Sequence, residues 1–252
     1  MRLGLVCYSE PMASSPVVTP VTLHPRGILF DMDGVLVSSI GSVERTWEKW
    51  ALARGIDPDL AIRMAHGRRA IETVRELRPD LNDQEELAWL EEMEVADGVG
   101  ISILDGVRPI LDSLPPEYWT VVTSATERIA RSRMQHGEIR MPARIVSAED
   151  VQLGKPHPDP YRLGAEILGF QPEECLVIED SASGAQAGHA AGCKVLATLF
   201  SHSLESLTYA DYIVRSLEDV EVLVPEEPGA PLTVRLMPVA RDLSRAFRSA
   251  HL

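Results

Sequence analysis

The chain has 252 residues, 45% hydrophobic and 25% charged, enough for one large domain or two modest ones around a sizeable core. With 38 acidic and 24 basic residues the formal charge is −14, which argues against nucleic acid and anionic membranes as partners; an anionic small molecule fits only where a cation or a local Lys/Arg group offsets the field. Three cysteines without a CxxC pair (Cys7, Cys175, Cys193) suggest neither a disulfide framework nor a zinc site, and no apolar run approaches a membrane span or a secretory signal, so a reduced, cytoplasmic protein is expected.

Residues 1–24 carry Ser, Pro and Thr without sustained periodicity and read as a loose leader. Gly27–Phe30 is then predicted as a buried strand. It runs into Asp31-Met32-Asp33-Gly34, where the two carboxylates, two residues apart, face the same side of extended backbone. From about Ser38 to Leu104 there are only helical patterns. Ser42–Arg54 sets Val43, Trp47, Trp50 and Ala51 on one face and stops at Gly55, and Asp83–Ala96 stops near Gly98. Trp47 and Trp50 are expected to be core residues. Residues 38–104 are therefore expected to form a small helical domain inserted after the first strand. The Gly-bearing connectors Val37–Gly41 and Gly100–Gly106 suit a hinge.

Strands are predicted at Trp119–Thr123, Arg144–Val146, Cys175–Ile178 and Lys194–Thr198. Between them lie helices Glu127–His136, Asp159–Leu168 and Ser183–Ala191, ended by Gly137, Gly169 and Gly192. This alternation implies an α/β fold, a doubly wound parallel sheet with right-handed crossovers, built from residues 25–37 plus 105–225. Residues 226–252 read as a C-terminal extension, with Leu232–Met237 as an added strand and a helical look to Arg241–Arg248.

Ligands of open parallel sheets bind outside the carboxyl ends of the strands. The residues just past the strand ends are Asp31 and Asp33; Thr123, Ser124 and Ala125; Gly154-Lys155-Pro156; and Glu179-Asp180 before Ser181. Carboxylates about 5 Å apart repel by roughly 3 kcal/mol at an effective dielectric near 20, so the group needs protons or a hard divalent cation. An oxygen-only set without Cys or His suits Mg²⁺ rather than zinc. A cation, an ammonium, a helix N-terminus and a hydroxyl all stabilise the charge of a phosphoryl group, which makes phosphoryl transfer the natural chemistry. In that reading Asp31 is the nucleophile. Asp33 protonates the leaving oxygen and then deprotonates the attacking water.

In this arrangement the sequence resembles the haloacid dehalogenase superfamily, in its branch with a helical cap after the first strand. The resemblance rests on Asp31-Met32-Asp33-Gly34-Val35, Val122-Thr123-Ser124, Gly154-Lys155-Pro156 and Ile178-Glu179-Asp180-Ser181, in order over about residues 25–225. It implies a Rossmann-like core and an aspartyl-phosphate mechanism. Asp31, the Asp33 backbone carbonyl, Asp180 and neighbouring Glu179 match the metal positions, and Ser124 or Thr123, with Ala125 and Lys155, match the phosphate-holding positions. Glu179 is open to a second reading, as a partner of backbone amides.

The segments Val43-Glu44-Arg45-Thr46-Trp47, His66-Gly67-Arg68-Arg69-Ala70-Ile71 and Gly154–Tyr161 are similar to bacterial sugar phosphatases and to glycerol phosphate and deoxyglucose phosphate phosphatases. This likeness implies a small phosphorylated sugar or polyol as substrate, a monomer or homodimer, and leaving-group contacts from His66, Gly67 and Arg69. The alternatives are a sugar-phosphate mutase resembling β-phosphoglucomutase and a non-catalytic phosphate-binding module. The mutase branch carries a histidine at the cap hinge where this chain has Val43.

Overall fold

The computed structural model describes residues 19–65 and 68–239. In chain order the elements are β1 (Val21–Leu23), β2 (Gly27–Phe30), β3 (Val37–Ser38), α1 (Ile40–Arg54), α2 (Pro58–Ala65), α3 (Ala70–Leu77), α4 (Asp83–Ala96), β4 (Ser102–Ile103) and α5 (Val107–Ser113). The second half of the chain contributes β5 (Trp119–Val122), α6 (Glu127–His136), β6 (Ile145–Val146), α7 (Asp159–Leu168), β7 (Cys175–Glu179), α8 (Ala182–Ala191), β8 (Lys194–Thr198), β9 (Tyr212–Val214), β10 (Val220–Leu223) and β11 (Thr233–Leu236).

Six of these strands form one parallel sheet in the order β6-β5-β2-β7-β8-β9. The chain builds outward from β2 through β5 to β6, then crosses to the other side for β7, β8 and β9. The reversal therefore falls beside β2, where a doubly wound sheet opens a crevice. Ile28, Phe30, Trp119, Val121, Leu176 and Ile178 pack on one face of the sheet, and Leu29, Val122, Val177, Tyr161 and Ala185 on the other. Burial on both faces is why these strands read as continuous apolar runs rather than alternating ones. Cys175 and Cys193 are buried free thiols. No described helix is long and apolar enough to cross a membrane.

Helices α1–α4 pack around a separate cluster that includes Trp47, Trp50, Ala51, Ala61, Val74 and Leu90. Trp47 and Trp50 meet edge-on at 5.3 Å, and Trp50 Nε1 donates to Glu86 at 2.6 Å. Arg54 forks onto the same carboxylate at 2.8 and 3.0 Å, so the polar atoms buried there are matched. This inserted unit has its own core.

Strands β1, β3, β4, β9 and β10 depart from the sequence reading, which did not expect them. Two short strands lie where only helices were expected: β3 and β4 pair antiparallel, Val37 with Ile103 and Ser38 with Ser102, and tie the two connectors together at the root of the insertion. Two-residue strands carry no readable period. Within residues 1–24, β1 forms a strand, pairing with β11 in a three-stranded sheet completed by β10. The strand expected in Leu232–Met237 is β11, and through this sheet it binds the extension to the chain's beginning. The helical look of Arg241–Arg248 lies outside the described residues.

Candidate active site

Parallel register brings the ends of β2, β5 and β7 to one edge. Phe30 lies beside Val121 and Ile178, and the Asp31 amide donates to the Ile178 carbonyl at 2.9 Å. Asp31, the Thr123-Ser124 pair and Glu179-Asp180 consequently emerge together.

Lys155 reaches this edge from the loop before α7. Its ammonium donates to Asp31 Oδ1 at 2.8 Å, to Glu179 Oε1 at 2.7 Å and to the Val122 carbonyl at 3.0 Å, which uses all three hydrogens. Burial disfavours the ammonium, but the two carboxylates outweigh it and hold Lys155 above its ordinary value. Burial pushes Asp31 up to about 7, with Glu179 and Asp33 adding to the shift and Lys155 opposing it. Burial, with Glu179 and Asp31 nearby, likewise raises Asp180 well above the usual carboxylate range.

Glu179 is fully buried and behaves differently. Its Oε1 accepts from Lys155 and from the Tyr161 hydroxyl at 2.6 Å, and its Oε2 accepts from the Asp180 amide, the Ser181 amide and Ser181 Oγ at 3.0, 3.1 and 2.9 Å. Burial pushes this carboxyl up, but the Lys155 charge and these donors hold it below its ordinary value. Five hydrogen bonds exhaust the roughly four lone-pair directions of a carboxylate. Gly184 allows the approach, because a Cβ there would strike the Glu179 carboxylate.

Asp31, Glu179 and Asp180 each present an oxygen within 4.8 Å of the others. The donor set is hard and anionic, and two of its members are forced toward protonation by burial and mutual repulsion, so it fits Mg²⁺. Because the Glu179 oxygens are already engaged, the carboxylates with capacity for a cation are Asp31 and Asp180. Gly34, at φ +81°, sits against Asp180: a side chain there would strike its Oδ2, so bare backbone is required beside that carboxylate.

Thr123 Oγ1 accepts from the Ala125 amide at 3.1 Å, so hydroxyl and amide close the turn that leads into α6. Ser124, half-buried on the cavity wall, makes no hydrogen bond with another described residue. The cavity measures about 510 Å³ and lies between the strand ends and the helical insertion, which covers it as a cap; Val43, Trp47, Ile71 and Leu87 line its cap side.

The seam between cap and core is polar. Arg69 Nη1 donates to the Gln152 carbonyl at 3.0 Å, reaching from the cap to the loop that carries Lys155, and its side chain also lines the cavity. Arg68 pairs with Glu76 at 2.9 Å within the cap. His66 and Gly67 lie outside the described residues. Helix α4 rests on α6 through Glu91 with Thr126 at 2.5 Å and Arg128 with Glu92 at 2.6 Å. Deeper in the seam, Arg133 donates to Asp33 Oδ2 at 2.5 Å and to Glu94. Burial raises Glu94 despite that guanidinium.

Ser39 and Glu94 were not singled out from the sequence, nor were Tyr161 and Arg133. For the last two a signal existed. Arg133 shares the apolar face of its helix with Ile129, Ala130 and Met134, and a charged residue on a core-facing stripe demands a partner. Tyr161 shares a face with Gly164 and Ala165 in the same way.

Residues 25–192 match the family of haloacid dehalogenase-like hydrolases. Hexitol phosphatase A of Escherichia coli is 35% identical over 215 residues, covering 83% of this chain and 99% of that protein. Glycerol-1-phosphate phosphohydrolase 2 of Saccharomyces cerevisiae is 32% identical over 217 residues, covering 81% of this chain and 87% of that protein. Among solved structures, a hydrolase from Pseudomonas syringae superposes with a TM-score of 0.67 at 22% identity, over 76% of this chain and 94% of that one, a likeness of fold.

Proposed function

The chain belongs to the haloacid dehalogenase-like hydrolase family, and on that premise we propose that it is an Mg²⁺-dependent phosphatase of small sugar or polyol phosphates that carries the phosphoryl group on Asp31. The observation that bears most weight is the buried Asp31–Lys155–Glu179 chain at the strand ends, open to a cavity within the size range of small-molecule sites. Similarity to named sugar and polyol phosphatases supports the substrate class.

In this reading an Asp31 oxygen attacks phosphorus and the ester oxygen departs with a proton from Asp33. Water then attacks the aspartyl phosphate, gives its proton to Asp33, and returns Asp31 to a free carboxylate. Lys155 fixes the Asp31 rotamer and offsets its charge, while Glu179 and Tyr161 fix Lys155. Ser124, with its hydroxyl uncommitted, and the turn at Thr123 and Ala125 are the phosphate-holding groups. The cation would be held by the Asp31 and Asp180 carboxylates and the Asp33 backbone carbonyl. When bound it would supply charge neutralisation for the phosphoryl oxygens and for the acidic cluster itself.

The test is release of inorganic phosphate from a panel of sugar and polyol phosphates, with and without Mg²⁺. The expected result is Mg²⁺-dependent release, abolished in Asp31→Asn. Interconversion of sugar phosphates without phosphate release would indicate a mutase instead, and Mg²⁺ binding without any turnover a binding module.

A further inference from the structure

Arg133 belongs to the core helix α6, yet its side chain is only 5% exposed and its partners lie in both domains. One Nη donates to Asp33 Oδ2 at 2.5 Å, the other to Glu94 on the cap helix α4. The other Asp33 oxygen accepts from Ser39 Oγ at 2.5 Å, and Ser39 is the residue at which β3 gives way to the first cap helix. Both oxygens of the proton carrier are thus held, one by the cap hinge and one by an arginine that itself grips the cap.

Holding the seam together does not require this arrangement. Buried charges cost several kcal/mol to desolvate, and apolar contacts of similar volume often stabilise as well or better. A guanidinium fork does what an apolar pair does not: its planar geometry fixes the direction of the carboxylate it binds. The same fork reaches Asp33 and Glu94 together only when α4 is seated on α6 as it is here. Lifting the cap would leave Glu94 without its cation and Arg133 with one carboxylate instead of two.

We propose that Arg133 is a positioning residue that ties the orientation of Asp33 to the seated cap through Glu94. The proposal rests on the phosphatase reading above. Arg133 stays protonated throughout: the proton that reaches the departing ester oxygen comes from Asp33, and the proton of the attacking water returns to Asp33. Seating the cap over a substrate and aiming the proton carrier at that substrate are one event.

A leaving-group comparison tests this. An alkyl phosphate expels an alkoxide and needs the proton, whereas 4-nitrophenyl phosphate expels a phenolate that does not. The rate of the first turnover is measured with Mg²⁺ for the native chain, Arg133→Met, Arg133→Lys and Glu94→Gln, on the best sugar or polyol phosphate of the panel and on 4-nitrophenyl phosphate. Arg133→Met is expected to lose about 100-fold on the alkyl ester and less than about fivefold in the nitrophenolate burst, the size of a misplaced general acid. Glu94→Gln, which keeps an acceptor but removes the charge, is expected to show the same asymmetry at about tenfold. Arg133→Lys, able to reach one carboxylate, should recover part of the loss. Equal losses on both esters, or native rates on both, would overturn the proposal. If Arg133→Met fails to fold, the Glu94→Gln asymmetry decides it in the same way. A native chain that hydrolyses neither ester would overturn the phosphatase reading and this proposal with it, whereas equal losses from an active native enzyme overturn this proposal alone.

Discussion

Lys155 directs all three of its hydrogens to acceptors of its own domain, Asp31, Val122 and Glu179, whereas Arg133 divides its fork between a core carboxylate and a cap carboxylate. The two cations lie on the same cavity and are buried to a similar degree. The strand-end cluster is closed on itself: Glu179 has five donors, Tyr161 adds one of them, and every hydrogen bond in it is made within the core. The seam is conditional. Arg69 Nε and Arg133 Nε are buried without a hydrogen-bond partner among the described residues, and each arginine makes one hydrogen bond, to the Gln152 carbonyl and to Glu94, that requires the two domains to be pressed together. A cluster complete within one domain fixes Asp31 through contacts of the core alone. A network shared between two domains responds to the cap's arrival.

The largest break of this contrast is Asp31→Asn. It is expected to lower turnover by roughly 10⁴-fold or more, as loss of a nucleophile does, while the protein stays folded by circular dichroism. Next is Lys155→Met, which leaves Asp31 and Glu179 buried without their cation. A loss of about 3–5 kcal/mol in urea unfolding is expected, because removing one member of a buried ion pair strands the other. A similar loss in the seam variant Glu94→Gln would erase the distinction drawn between the two networks.

Proton–cation competition gives the third prediction. Metal-free Asp31, raised from 3.8 to about 7, holds a proton that the unfolded chain has already released, so the metal-free protein should lose stability as pH rises from about 4 through 7. Mg²⁺ must displace that proton. Its apparent affinity by calorimetry should therefore fall as pH drops below about 7, by up to about tenfold per pH unit for each of Asp31 and Asp180 that must lose a proton. An affinity independent of pH between about 5 and 7 would show that Asp31 is not the group carrying that proton. The smallest effect is expected from Arg69→Ala, which removes one cap-to-core hydrogen bond worth about 1 kcal/mol. KM should rise with little change in the urea midpoint, since the cap keeps its own core.

The contrast also explains what the sequence disclosed. Asp31, Thr123, Ser124, Glu179 and Asp180 were readable because they fall at or just past the ends of largely apolar strands, whereas Tyr161, inside α7, was not. Helices α4, α6 and α7 begin and end at the residues expected, since their stops at Gly137, Gly169 and the turn before Gly98 are local signals. Elements without such signals were not read: β3 and β4 have two residues each, α5 carries Pro109 in its seven, and α2 and α3 have eight each. The seam was opaque for a different reason. Arg133 contacts Asp33, 100 positions away, and Glu94, 39 away, and no local pattern states which carboxylate a buried arginine will meet. The same kind of long-range geometry favours the amide-partner reading of Glu179, through the number of donors that converge on it.

A phosphoryl group carried by Asp31 distinguishes this chemistry from direct attack by water. Rapid acid quench during the first turnover of a sugar or polyol phosphate with Mg²⁺, combined with peptide mass analysis, tests it directly. The expected result is one phosphoryl group on the peptide that contains Asp31, formed before free phosphate accumulates and absent from Asp31→Asn. Phosphate release at full rate with that peptide unmodified at every quench time, or with the phosphoryl group on another residue, would contradict it.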